Sequence, residues 1–146
     1  PLAIKGTEGM VVNFARCCRP IPGDPIQGFV TAGRGIVIHT QWCKNVAERP
    51  TRMDKIIDLA WAPAVRGDFP VDIRVEVADQ RGVLATIAAA IADEGANIEN
   101  VDIADHDGLY TAITFTIDVT HRAHLARILR RVRGIRQVTR IFRVRG

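Results

Sequence analysis

Val71-Asp72-Ile73-Arg74-Val75-Glu76-Val77, followed by Asp79-Gln80-Arg81-Gly82-Val83-Leu84-Ala85, decides the fold of the second half of the chain. Apolar residues at alternate positions mark a strand with one buried face. Asp79 to Gly82 turn the chain, and the period then changes. From Val83 to Glu94, residues Leu84, Ile87, Ala88 and Ile91 fall on one helical stripe, and Gly95 suits the C-cap. Further out, Asn97 to Asp105 is a predicted strand whose apolar phase slips between Ile98 and Val101, the mark of a bulge. His106-Asp107-Gly108 closes a hairpin onto a strand in which Thr111, Ile113, Phe115, Ile117 and Val119 alternate. Arg122 to Arg133 reads as a second helix, with Leu125, Ile128, Leu129 and Val132 inward and arginines outward. Gly134 ends it, and Ile135 to Val144 is the last strand. His106, His121 and His124 read as surface residues near turns. The order βαββαβ is ferredoxin-like, a four-stranded antiparallel sheet with two helices on one face. The arrangement alone names no function.

The first half is organised differently, around Cys17-Cys18-Arg19-Pro20-Ile21-Pro22-Gly23-Asp24-Pro25. Three prolines each fix φ and remove a backbone donor, so no regular element runs through the stretch. Met10 to Ala15 precedes it as a short strand. Gln27 to Ala32 and Ile36 to Thr40 form a hairpin about Gly33-Arg34-Gly35. Trp42 to Arg49 reads as a short helix stopped by Pro50, and Ile56 to Ala62 as another strand. The fold class is therefore α+β: a linker over 1–8, a small β-rich Cys/His domain over 9–62, a linker over 63–68 and the ferredoxin-like domain over 69–146. At roughly 55 residues the first domain has a marginal core, the kind that a metal, a partner or a neighbouring domain completes.

The chain has 146 residues and a net charge of +4. No apolar run approaches the ~18 residues of a membrane span, and no secretory signal opens the chain. The start at Pro1-Leu2-Ala3 suggests a piece of a longer protein. Three cysteines, two of them adjacent, do not make a disulfide framework, which indicates a reducing, cytoplasmic compartment. Asp72 to Asp118 holds ten acids against Arg74 and Arg81, whereas Arg122 to Arg145 holds nine arginines and no acid. That basic stretch is either a solvated face or a surface for phosphate or an acidic partner.

Cys17, Cys18, His39 and Cys43 are candidate ligands of a Cys₃His zinc site. Adjacent residues of a strand point to opposite faces, so both neighbouring thiols can ligate only if the chain bends sharply there. The alternatives are small buried hydrophobes with a hydrogen-bonded histidine, or redox sensing. Arg16, Arg19, Arg34 and Lys44 surround these positions and could contact RNA phosphates, with Trp42 stacking on a base. The same residues could equally form a solvated face over a small core.

Asp79-Gln80-Arg81-Gly82-Val83-Leu84-Ala85 with Gly95-Ala96-Asn97-Ile98 resembles the signature of an ACT domain, over residues 69–146. Phe14 to Ile26, Gly33 to His39 and Cys43-Lys44-Asn45 resemble the conserved-cysteine, or zinc-finger, domain of the long RelA/SpoT homologues, in which an ACT domain follows directly. The resemblance implies the C-terminal regulatory region of a (p)ppGpp synthetase/hydrolase of the bacterial stringent response, with its catalytic domains N-terminal to this segment. No Gly-rich phosphate loop or Mg-binding acid cluster is present, so this region would catalyse nothing and require no cofactor beyond the candidate zinc. Its implied partners are those catalytic domains, the ribosome with tRNA, a branched-chain amino acid and a second copy of the chain. By resemblance the amino acid would meet Gln80, Arg81, Gly82, Val83 and Leu84 together with Ala96, Asn97 and Ile98, where the first turn of the first helix approaches the start of the second strand. Dimer pairing is expected along Asn97 to Asp105. The rival reading is an RNA-binding module without small-molecule sensing. One Tyr, two Trp and five Phe leave that module few stacking residues.

Overall fold

The computed structural model describes residues 4–5, 7, 9–31, 33, 35–47, 55–78 and 81–145. The chain divides into two units, Pro1–Gly67 with Arg145–Gly146, and Asp68–Val144. Among the described residues no helix is long and apolar enough to cross a membrane.

The first unit contains β1 (Ile4–Lys5), β2 (Val12–Phe14), β3 (Ile26–Thr31), β4 (Gly35–Thr40), α1 (Lys44–Ala47), β5 (Lys55–Ile57) and β6 (Ala60–Trp61). Its main sheet has the order β2-β4-β3-β5. β3 and β4 are an antiparallel hairpin, β5 joins β3 antiparallel, and β2 runs parallel to β4. The alternation of β4 does two jobs. Ile36 and Ile38 enter an apolar cluster with Ile4 and Ile26, flanked by Val12, Phe14, Leu59 and Trp61. Val37 and His39 point to the other side, where Ala15, Cys18 and Cys43 are buried.

Two sequence expectations change here. The predicted linker over 1–8 contains β1, which pairs with β6 through Ile4↔Trp61 and Lys5↔Ala60. The predicted strand Ile56 to Ala62 is two short pieces serving two different sheets. Trp61 explains the break: its Nε1 donates to the Asp24 carbonyl at 3.0 Å, and its ring stacks on Phe14. The helix expected over Trp42 to Arg49 is described only as Lys44–Ala47, residues 48–50 lying outside the described set.

The second unit contains β7 (Phe69–Val77), α2 (Val83–Asp93), β8 (Asn97–His106), β9 (Tyr110–Val119), α3 (Arg122–Arg133) and β10 (Val138–Arg143). Its sheet is fully antiparallel between neighbours, in the order β10-β7-β9-β8. This is the ferredoxin-like order, because each helix carries the chain across a strand rather than to the adjacent one. Val71, Ile73, Val75 and Val77 face Ile113, Phe115, Ile117 and Val119 in a core closed by Ile87 and Ile91 of α2 and Ile128 and Val132 of α3. The bulge read from the slipped phase is present, the register stepping from Ile98 to Asn100 past Glu99. Asp107 and Gly108 both take positive φ, 55° and 71°, the turn that twisted hairpins favour. The last strand starts at Val138 instead of Ile135, since Ile135 closes a turn, donating to the Val132 carbonyl.

His124 corrects a second expectation. It is 4% exposed. Its Nδ1 accepts from the Thr120 N–H at 3.0 Å, which leaves the proton on Nε2 to donate to the Glu94 carbonyl at 2.7 Å. The ring thus ties the start of α3 to the end of α2. His121 is exposed and caps α3, its Nδ1 accepting from the His124 N–H. His106 stacks on Tyr110 across the hairpin.

Candidate metal centre and ligand interface

The Cys/His cluster is built by a sharp turn at the end of β2. Ala15 is still bonded to β4, its N–H donating to the Ile38 carbonyl at 2.9 Å. The chain then turns, and the Arg19 N–H donates back to the Ala15 carbonyl at 3.0 Å. Arg19 holds φ 44°, a left-handed conformation that non-glycine residues rarely take. This bend satisfies the condition set by the adjacent thiols, because Cys17 and Cys18 sit in a turn where strand alternation no longer separates them. His39 comes from β4. Cys43 lies one residue before α1, its N–H bonded to the Thr40 carbonyl and its own carbonyl to the Val46 N–H.

The ligand atoms of Cys17, Cys18, His39 and Cys43 all lie within 4.8 Å of one another. Cys17 Sγ is 3.5 Å from His39 Nδ1 and 3.6 Å from Cys43 Sγ, and Cys18 Sγ is 3.8 Å from the same Nδ1. Tetrahedral coordination of an ion with metal–sulfur and metal–nitrogen bonds of zinc length requires about 3.8 Å between sulfurs and about 3.5 Å from sulfur to nitrogen. The cluster therefore fits a four-coordinate metal with little movement. Cys18 is 1% exposed and Cys43 fully buried, whereas Cys17 is only half-buried. The Thr40 N–H donates to Cys18 Sγ at 3.3 Å, fixing that sulfur and stabilising a thiolate there. Without a metal, burial pushes the Cys18 thiol up to about 12, outweighing the Thr40 bond. Burial also opposes ionisation of Cys17, but hydrogen bonds from Asn45, Cys43 and Cys18 outweigh it and hold that thiol below its usual value.

Of the expected RNA contacts, Arg16 and Lys44 are exposed beside the cluster, Arg19 and Trp42 are half-buried, and Arg34 lies outside the described residues.

In the second unit, Gly82 is the N-cap of α2 with φ 72°; no side chain caps the helix and no acid sits in its first turn. Arg81 is exposed and Leu84 half-buried, but Val83 is fully buried core. Gln80 lies outside the described residues. Ala96 is buried, Ile98 half-buried, and Asn97 exposed with its Nδ2 donating to Asp118 Oδ2 at 3.3 Å. Within one copy the two halves of this set do not meet. They stand at opposite ends of α2, a helix about 16 Å long at 1.5 Å per residue. Closeness in the motif hid this, because the rest of α2 after Leu84 carries the second half away from the first.

Sequence reasoning also placed pairing along β8 without showing how open the strand is. β8 is an edge strand. Val101 and Ile103 pair with Phe115 and Ile113, on the helix side of the sheet, yet remain 39% and 49% exposed.

Comparison with known proteins agrees with this architecture. A model of the ACT domain matches residues 66–143, more than half of the chain, and defines the class of the second unit. The RelA/SpoT RIS domain matches residues 2–62, and the chain belongs to the RelA/SpoT homologues, as a RIS domain followed by an ACT domain. It is 35% identical over 145 residues to the bifunctional (p)ppGpp synthase/hydrolase SpoT of Escherichia coli, covering 99% of this chain and 21% of that protein. It is 34% identical over 143 residues to the bifunctional (p)ppGpp synthase/hydrolase RelA of Mycobacterium tuberculosis, covering 98% of this chain and 19% of that one. The ACT domain from GTP pyrophosphokinase of Chlorobium tepidum is similar in structure, with a TM-score of 0.46 and 23% identity over 53% of this chain and 99% of that one.

Proposed function

We propose that the chain is a non-catalytic regulatory region that controls (p)ppGpp synthesis and hydrolysis by catalytic domains N-terminal to it in the same cytoplasmic protein. That parent would transfer pyrophosphate from ATP to GTP or GDP and hydrolyse the product. The RIS unit is held together by zinc on Cys17, Cys18, His39 and Cys43. Four protein ligands fill a tetrahedral shell and leave no position for substrate, so the ion is structural.

The ACT unit senses a branched-chain amino acid across a pair of copies. The observation that carries this is the separation of the site's two halves. β7 and β8 are each antiparallel to β9, so they run parallel to one another. α2, leading from the end of β7 to the start of β8, therefore begins level with the far end of β8. Antiparallel pairing of two β8 edges brings Asn97 and Ile98 of one copy beside Gly82 and Leu84 of the other. The uncapped helix N-terminus suits the carboxylate, and Leu84 and Ile98 suit the aliphatic side chain. Titration calorimetry of the chain with L- and D-valine, leucine and isoleucine tests this. Saturable L-specific heat that Gly82→Trp abolishes supports it, and no heat from a folded chain overturns it.

A second reading, RNA contact by the RIS unit, draws on exposed Arg16 and Lys44. The ACT sheet is poorly suited to that role. Its helix-free face presents Asp72, Glu76, Thr114 and Asp102 together with Arg74 and Arg140, and of its aromatic residues Phe142 lies under Arg140 and Tyr110 is stacked on His106. RNA binding with a steep salt slope, lost on neutralising Arg16 and Lys44, would favour this reading.

A further inference from the structure

We propose that Cys17 is a site of peroxide oxidation and that Cys43 resolves it, closing a Cys17–Cys43 disulfide that dismantles the metal centre. The inference starts from the unequal exposure of the three sulfurs. Cys18 and Cys43 are buried, and only Cys17 is half-buried, so an oxidant meets Cys17 first. Cys43 Sγ stands 3.6 Å from Cys17 Sγ, close enough to attack it.

Geometry disfavours the other pairings. Cys17 and Cys18 are neighbours across a trans peptide, with Cα atoms about 3.8 Å apart, below the ~4.4 Å minimum of an ordinary disulfide. Cys18 is turned inward, its sulfur accepting the Thr40 N–H.

The oxidant is hydrogen peroxide or an organic hydroperoxide. The Cys17 thiolate attacks one peroxide oxygen, the O–O bond breaks, and hydroxide (or the alkoxide) leaves with the electron pair, giving a sulfenic acid. Cys43 sulfur then attacks Cys17 sulfur, forming the S–S bond and expelling the sulfenic oxygen as water. Overall, two thiols and hydrogen peroxide give one disulfide and two waters. Two thiolate ligands are lost in the process. Cys18 and His39 alone do not hold a tetrahedral ion, so the metal leaves.

This rests on the zinc reading only for metal release, and the experiment separates the two. The whole chain, zinc-loaded and zinc-free, is treated with hydrogen peroxide. Released zinc is followed with a chelating dye, and linkages are mapped by non-reducing peptide mass spectrometry with fragmentation that resolves Cys17 from Cys18. The expected result is a Cys17–Cys43 disulfide in both forms, with Cys18 oxidised roughly tenfold more slowly. In the loaded form zinc appears in step with the disulfide, and dithiothreitol reverses both. In Cys43→Ser the sulfenic acid persists at Cys17 and is trapped by dimedone; the wild-type map stands alone if that variant does not fold. A Cys17–Cys18 or Cys18–Cys43 linkage, a lone sulfinic acid at Cys17, or thiols that resist peroxide would each overturn the proposal. A chain that binds no zinc yet forms the Cys17–Cys43 bond would refute the zinc reading and keep this one.

Discussion

Gly35 is a tight position in the first unit, closed by backbone rather than by a side chain. It takes φ 72°, and a Cβ there would run into the Val11 carbonyl oxygen. That carbonyl is not free to retreat, because it accepts the Ile36 N–H at 2.8 Å and so begins the pairing of β2 with β4. Gly35→Ala is expected to destabilise the unit by roughly 3 kcal/mol, combining left-handed strain with a backbone clash; denaturant melts would measure it. Cys18 gives a second expectation at this scale. With its thiol pushed up to about 12, it is protonated at neutral pH and must release that proton to bind a metal. Zinc affinity should therefore rise with pH, by about tenfold per unit for each proton displaced, as competition with a chelator of known affinity would show. In the metal-free chain the sign is opposite. The raised thiol favours the fold below pH 9.0 and that contribution fades towards about 12. The four ligand residues were legible in the sequence by type, but their convergence was not. It depends on Arg19 adopting a conformation that arginine disfavours, and no propensity signals that.

The order and kind of the second unit's strands and helices were legible, with β10 starting three residues later than expected, since alternation on β7 and β9 and the stripes on α2 and α3 follow from which side chains are buried. The role of His124 was not. A histidine two residues into a basic helix reads as solvent-facing, and only the approach of the α2 C-terminus turns it inward. His124→Ala leaves the Glu94 carbonyl and the Thr120 N–H without their ring partner and should cost about 2 kcal/mol of stability, with the secondary structure retained. The openness of β8 was equally hidden, because a sequence does not reveal how far helices extend over a sheet. Ile103→Lys is the test at this scale. Ile103 is 49% exposed in one copy, so the substitution should leave the fold intact. It should shift sedimentation to the monomer if β8 pairs between copies, and an unchanged dimer would refute pairing at that edge.

Across the whole molecule the two units rest on different physics. The ACT unit has a continuous apolar core running from Val71 to Val132. The RIS unit has a small aliphatic cluster on one side of β4 and, on the other, a cluster made largely of cysteine. Chelation should therefore act on one unit alone. In scanning calorimetry the transition of the RIS unit is expected to fall or disappear on metal removal, while that of the ACT unit stays in place. A single transition moving as one would contradict this.

The two halves of the proposed amino-acid site, at opposite ends of α2, have a consequence for dosage. A site completed by a second copy does not have a fixed half-saturation point. Each ligand bound there would also be a bond between two chains, so the response moves to lower amino-acid levels as the protein becomes more abundant. Under that proposal, a cell that makes more of this chain would lower its own threshold for reporting plenty.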